Sequence, residues 1–244
     1  MTEYQNKDRL TADGKEITLL GTAHVSRDSA DLVAKVIDEE KPDTVCVELC
    51  DSRYQAMTQK KSWEDTDLIK VIREKKAFLL LSNLMLAAFQ KRIGNKLGIK
   101  PGEEMLRAVQ RAEAVGAEVS LCDRDIRITL SRAWRLMGLW TKTKLFVQLV
   151  TSAIGSSSIE EADIEELKKR DVLETLLIEI GDILPEIRQV LIDERDQYLA
   201  EKIRQAPGKK IVAVVGAGHV PGIQKQWNVP VDLTSLDTLP PPAG

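Results

Sequence analysis

The chain has 244 residues, 43% of them hydrophobic and 30% charged, with a formal net charge of -3. That length buries a sizeable core as one large or two small domains. With no basic excess to neutralise phosphates, nucleic acid is not expected as a partner.

The N-terminus, MTEYQNKDRL, lacks an apolar secretory core, so no signal peptide is read there. No run of about 18 apolar residues follows anywhere, which argues against a bilayer span. The nearest approach, Trp134 to Ile154, is interrupted by Lys142 and Lys144. The first predicted strand is Ile17-Thr18-Leu19-Leu20, an apolar β-branched run. Gly21-Thr22-Ala23-His24 turns it into a helix from about Ser26, a suitable N-cap, with Leu32, Val33, Val36 and Ile37 as the apolar stripe. Pro42 ends that helix and Thr44–Leu49 reads as strand 2, which makes a β-α-β unit with a parallel pair. Glu48 lies inside this apolar run. A buried carboxylate needs a cation, a proton or several donors. Cys46 and Cys122 read as buried thiols, and Cys46-x-x-x-Cys50 has no second pair to complete a zinc site.

Asp51 caps a short predicted helix carrying Arg53, and the residues from about Thr66 to Ile93 are apolar at helical spacing. Pro101-Gly102-Glu103-Glu104-Met105 opens another helix to about Val115. Strand 3 is Glu118–Cys122, ending in Asp123-Arg124-Asp125, where Asp123 is either a helix N-cap or a site residue. Three or four helices are expected from there to Gln205, broken at Gly155-Ser156-Ser157-Ser158. The apolar stretch from Trp134 through Trp140 to Val150 reads as core or as a dimer face. Strand 4 is Lys210–Val215, followed by Gly216-Ala217-Gly218-His219, and Val229–Leu233 reads as a last edge strand limited by Pro230.

The expected architecture is α/β: a small, mostly parallel sheet built from both chain ends (15–60 and 205–235), with a mainly helical insertion (61–204) roofing its carboxyl edge. Residues 236–244, with Pro240-Pro241-Pro242, read as a linker. The chain holds two histidines, His24 and His219, and each closes a Gly-x-x-His sequence directly after a predicted strand. In open α/β sheets that turn lies where ligands bind. Two imidazoles brought to one edge therefore mark a candidate site.

The ordered set Gly21-Thr22-Ala23-His24-Val25-Ser26, Val47-Glu48-Leu49 with Arg53, Pro101-Gly102-Glu103-Glu104-Met105, Asp123-Arg124-Asp125-Ile126 and Gly218-His219 resembles the TraB/PrgY family, named for bacterial pheromone-shutdown proteins. That family is related to the Tiki proteins and, more distantly, to erythromycin-esterase-like and heme-binding ChaN-like proteins. The Asp193-Glu194-Arg195-Asp196 block is similar to the family's Glu-Arg pair on a late helix. The resemblance implies a metal-dependent protease with two Gly-x-x-His motifs and an acidic residue at the core of its site. It also implies membrane helices following the conserved domain, hence attachment at the cytoplasmic face of a membrane.

His24, Glu48 and His219 together form a facial set for a divalent ion, with positions left for water and a substrate oxygen. The mixed N and O donors suit Mn, Co, Fe or Zn without choosing among them. In a metal-free version His24 acts as general base, Glu48 holds its tautomer, and an arginine such as Arg195 stabilises the oxyanion. Arg53, Arg124 and Arg195 are candidates for carboxylate contacts, with Glu104 and Asp123 beside them as substrate-binding residues. Glu104 is equally explained by the helix dipole, and Glu194 and Arg195 by a mutual surface ion pair. The expected function is a metal-dependent hydrolase acting on a peptide or small molecule. The alternative is a non-catalytic peptide- or heme-binding regulatory module. A homodimer is expected from the apolar insertion.

Overall fold

The computed structural model describes residues 7–22, 27–58, 102–143 and 185–242. At its centre is a five-stranded sheet of β1 (Lys7–Ala12), β2 (Lys15–Thr22), β3 (Thr44–Val47), β4 (Glu118–Leu121) and β5 (Lys210–Gly216). Their order is β1-β2-β5-β3-β4. All neighbours are parallel except β1 and β2. The architecture is α/β, as the sequence predicts, and β5 from the chain's end is inserted between β2 and β3 from its beginning.

Alternation along β5 divides the core into two layers. Ile211, Ala213 and Val215 face Leu199, Ile203, Ile223 and Trp227 on α6 (Glu194–Gln205), on α7 (Val220–Gln226) and just after it. Val212 and Val214 face Val33, Val36 and Ile37 of α1 (Arg27–Glu40) and Met105, Ala108 and Ala112 of α3 (Glu103–Val115). Helices cover both faces, so the parallel strands are apolar on both sides. The expected stripe on α1 is the buried one.

Between these lie α2 (Asp51–Thr58), α4 (Ile126–Leu136) and α5 (Pro185–Arg188). A π-turn over Gln189–Asp193 leads from α5 into α6, and a single 3-10 turn, Ala217–His219, joins β5 to α7. A short helix α8 (Leu233–Asp237) follows. No helix among the described residues is long and apolar enough to cross a membrane.

Four differences from the sequence reading have physical causes. Strand β1 was not expected; Asp13 and Gly14, both at positive φ, form a two-residue hairpin turn of the kind favoured by Asp-Gly. Glu48 lies one residue beyond β3 rather than inside it, although its N–H still reaches the Val214 carbonyl at 3.1 Å. The predicted edge strand Val229–Leu233 is absent. Pro230 offers no N–H, and Asp232 instead caps α8 by accepting from the Thr234 N–H at 3.0 Å. The apolar run from Trp134 does not continue as one helix: α4 ends at Leu136, and Leu139 and Trp140 are 75% and 83% exposed, so neither belongs to the core. The predicted helix from Thr66 to Ile93, the break at Gly155 and most of the expected dimer face lie outside the described residues.

Candidate functional site

Strand pairing fixes where the two Gly-x-x-His turns leave the sheet. Gly21 pairs with Val215 and Thr22 with Gly216, so β2 and β5 end side by side. The end of β2 is pressed against the turn that follows β5. A Cβ on Gly21 would stand 2.9 Å from Val220 Cγ2 and 3.3 Å from Ala217 Cα, too close for any side chain without a shift. Here the glycine serves close approach rather than an unusual backbone angle.

At this carboxyl edge five ionisable side chains form a continuous chain. His219 Nδ1 meets Asp196 Oδ1 at 2.6 Å, and its Nε2 lies 3.4 Å from Glu48 Oε1. The same Glu48 oxygen accepts from Arg195 Nη2 at 2.6 Å, and Glu48 Oε2 accepts from the Gly216 N–H at 2.6 Å. Arg195 then donates to both oxygens of Asp123, Nε to Oδ1 at 3.0 Å and Nη2 to Oδ2 at 2.9 Å. Glu48, Asp123, Asp196 and His219 are all buried.

The electrostatics follow from two basic groups set among three carboxylates. Burial works against the Arg195 charge, but Asp123 and Glu48 outweigh it and hold the guanidinium firmly protonated. Burial likewise pulls on the His219 imidazolium, yet the Glu48 charge and the Asp196 hydrogen bond prevail and its pKa is pushed up to about 9. The buried charge of Glu48, which the sequence left to a cation, a proton or several donors, is met by the Arg195 guanidinium and a backbone N–H.

A second buried cluster braces the first from the adjoining residues. Glu194 accepts from Arg124 Nη1 at 2.6 Å and from Arg132 Nε and Nη2 at 2.8 and 2.9 Å. Arg124 spends its other donors on Thr129 Oγ1, the Leu236 carbonyl and the Val190 carbonyl. Burial raises the Glu194 carboxyl, but the two guanidinium hydrogen bonds outweigh it and hold the group below the usual glutamate range.

The TraB/PrgY/gumN family model matches residues 9–229, which takes in all of β2 to β5, most of β1 and each of these residues except the α8 carbonyl. The chain belongs to the TraB/PrgY/gumN family. It is 39% identical over 210 residues to an uncharacterized protein of Methanocaldococcus jannaschii, covering 85% of this chain and 52% of that protein. It is 33% identical to the TraB domain-containing protein of Mus musculus and 32% to that of Homo sapiens, each over 257 residues, 95% of this chain and 68% of the relative. The chain thus spans about half the length of the archaeal relative and about two thirds of the mammalian ones.

Within this TraB-family domain, Glu48, His219, Arg195 and Asp123 of the predicted site residues are brought together. His24 lies outside the described residues, and among those described no three His, Cys, Asp or Glu side chains are arranged to hold a metal ion. Three expectations are corrected. Asp123 is not the N-cap of α4; Asp125 is, accepting from the Arg127 N–H, which leaves Asp123 for Arg195. Glu194 and Arg195 do not pair with each other on a surface, since one residue along a helix turns a side chain by about 100° and each finds its own buried partner. Arg124, expected as a carboxylate contact for a ligand, is 1% exposed with its guanidinium hydrogen-bonded instead to Thr129, Glu194 and the Val190 and Leu236 carbonyls.

Glu104 is buried in the first turn of α3. Arg53 sits half-buried on α2, which begins three residues after Glu48. Cys46, Cys50 and Cys122 are free and buried, as the sequence suggests for Cys46 and Cys122. The segment read as a linker from residue 236 is fastened at its start. Arg132 donates to the Ser235 and Thr238 carbonyls and Arg135 to that of Pro240. The sequence reading missed Asp196 and Arg132. Asp196 could have been sought as an acid one residue past the Glu-Arg pair; Arg132 carries no local signal.

Proposed function

We propose that this TraB-family domain is a metal-dependent hydrolase, with peptides as its most fitting substrate class. The observation that supports it most is the approach of His219 Nε2 to within 3.4 Å of Glu48 Oε1 at the carboxyl edge. A nitrogen and a carboxylate oxygen converging there suit a divalent ion such as Mn, Co, Zn or Fe. On this reading His24, two residues after Thr22 in the sequence, is the third ligand. When bound, such an ion supplies Lewis acidity toward a carbonyl oxygen and toward water.

The protein's own residues do the rest. Arg195 holds Glu48 through Nη2 and keeps a positive charge beside the reacting atoms, where negative charge develops on the carbonyl oxygen. The Gly216 N–H fixes the other Glu48 oxygen, so the carboxylate has one orientation. Asp123 in turn restrains Arg195 by its two hydrogen bonds. Attachment at the cytoplasmic face of a membrane and a homodimeric state belong to the same proposal and rest on the family resemblance and the apolar insertion.

The test is hydrolysis of a fluorogenic peptide library with added Mn or Co. The expected result is turnover that chelator and Glu48→Gln both abolish. Turnover indifferent to both overturns the proposal. A second reading, a ligand-binding module without chemistry, is favoured by one observation: Arg195 and the Gly216 N–H already balance Glu48, which needs no ion for its burial. On that reading peptide or heme affinity survives Glu48→Gln and no turnover is ever seen.

A further inference from the structure

Asp196 and Gly222 form a device around His219 that the reaction proposed above does not by itself require. Asp196 comes from α6 and His219 from the turn before α7, so their contact joins two elements across a sequence separation of 23. Both side chains are buried, at 5% and 8% exposure, where an unpartnered polar group is costly. Asp196 Oδ1 takes the Nδ1 side of the ring. Its Oδ2 occupies the space that a side chain at position 222 would fill. A Cβ built on Gly222 overlaps Oδ2 and lies 2.9 Å from Asp196 Cβ. Gly222 lies three residues after His219 in the chain, within α7. The carboxylate is therefore clamped between the imidazole and a bare Cα.

We infer that Asp196 is a positioning residue, seated by the missing side chain of Gly222, that anchors the Nδ1–H of His219 and turns Nε2 toward Glu48. The inference deepens the hydrolase reading and rests on it for its purpose, but not for its geometry. Once Nε2 gives up its proton to a metal, a carboxylate accepting from Nδ1 keeps the remaining proton on that nitrogen, leaves Nε2 as the ligand and raises its basicity. Gly222 is needed because any Cβ there would displace the Asp196 carboxylate from its place beside Nδ1. No proton is transferred in this role; one hydrogen bond, Nδ1–H to Oδ1, persists whether or not Nε2 is occupied.

The test is NMR of the whole chain labelled with 15N-histidine, which contains two imidazoles. A His24→Gln variant assigns them. In the unaltered protein His219 is expected to carry a downfield-shifted, exchange-protected proton on Nδ1. In Asp196→Asn, and separately in Gly222→Ala, that resonance is expected to move upfield or be lost to exchange. Asp196→Asn is also expected to weaken Co binding about 10–100-fold, measured by titration of the metal alone. A wild-type spectrum with the proton on Nε2 and none on Nδ1 overturns the inference, even if neither variant folds. Unchanged Nδ1 spectra in both folded variants overturn it as well. If the Nδ1 pattern holds and no metal binds, the hydrolase reading fails and the positioning role stands; the reverse result separates them the other way.

Discussion

Arg195 Nη2 and Glu48 Oε1 meet at 2.6 Å across 147 positions of sequence. The helix α6 thereby docks onto the carboxyl edge of β3, and Asp123, just past β4, closes the other side of the same guanidinium. One arginine holds together the ends of two strands and the start of a helix. Its planar fork, which offers donors in two directions, allows this where a lysine's point charge does not.

Removing that fork takes the guanidinium from buried Asp123 and leaves buried Glu48 only the His219 imidazolium at 3.4 Å. Arg195→Ala is expected to destabilise the protein by about 3–5 kcal/mol in urea unfolding. Arg195→Lys keeps the charge but loses the bidentate contact, so it should fall between that variant and the native protein. A loss below about 1 kcal/mol for Arg195→Ala would show that the cluster is hydrated rather than buried.

Glu194 gives the fold a pH dependence with a definite sign. Its folded pKa lies below its unfolded value, so its contribution is present above the unfolded value, roughly 4.3, and is lost as pH falls through the folded one. Glu194→Gln is therefore expected to cost about 3–5 kcal/mol near neutral pH, because Arg124 and Arg132 lose their buried partner. The gap between variant and native protein should narrow steadily below about pH 4. Denaturant unfolding at a series of pH values measures it, and a gap constant with pH contradicts the ion-pair account.

Contact between the end of β2 and the turn after β5 is tested at Gly21. Gly21→Ala places a methyl 2.9 Å from Val220 Cγ2 and is expected to cost about 1–3 kcal/mol. Because the nearest atom is a side-chain methyl, adding Val220→Ala should recover part of that loss. The two substitutions should therefore couple by at least about 0.5 kcal/mol in a double-mutant cycle. Strict additivity would place Gly21 and Val220 further apart.

The strands that frame the site were legible because parallel strands covered on both faces are continuous apolar runs: Thr44–Leu49 and Lys210–Val215 mark β3 and β5 to within two residues. Gly21 and Gly216 in the two histidine motifs marked the edge at which β2 and β5 end side by side. Less visible were features decided by tertiary pairing. Nothing local distinguishes Arg195, which reaches Glu48, from Arg124 and Arg132, which meet Glu194, since all three lie on or beside amphipathic helices. The segment after Pro230 looked like a strand by composition and became a capped helix, because Asp232 and an unavailable proline N–H outweigh Val229 and Val231. Asp196 escaped notice because its role depends on the absence of a side chain at Gly222, a relationship between two helices.

Crystals of the protein grown with Mn or Co and measured at the metal's absorption edge test the site most directly. The account predicts one stoichiometric anomalous peak bonded to His219 Nε2, Glu48 and His24, and its disappearance in His219→Ala. A fully folded crystal that binds no ion at that edge, or one whose ion touches neither Glu48 nor His219, contradicts it.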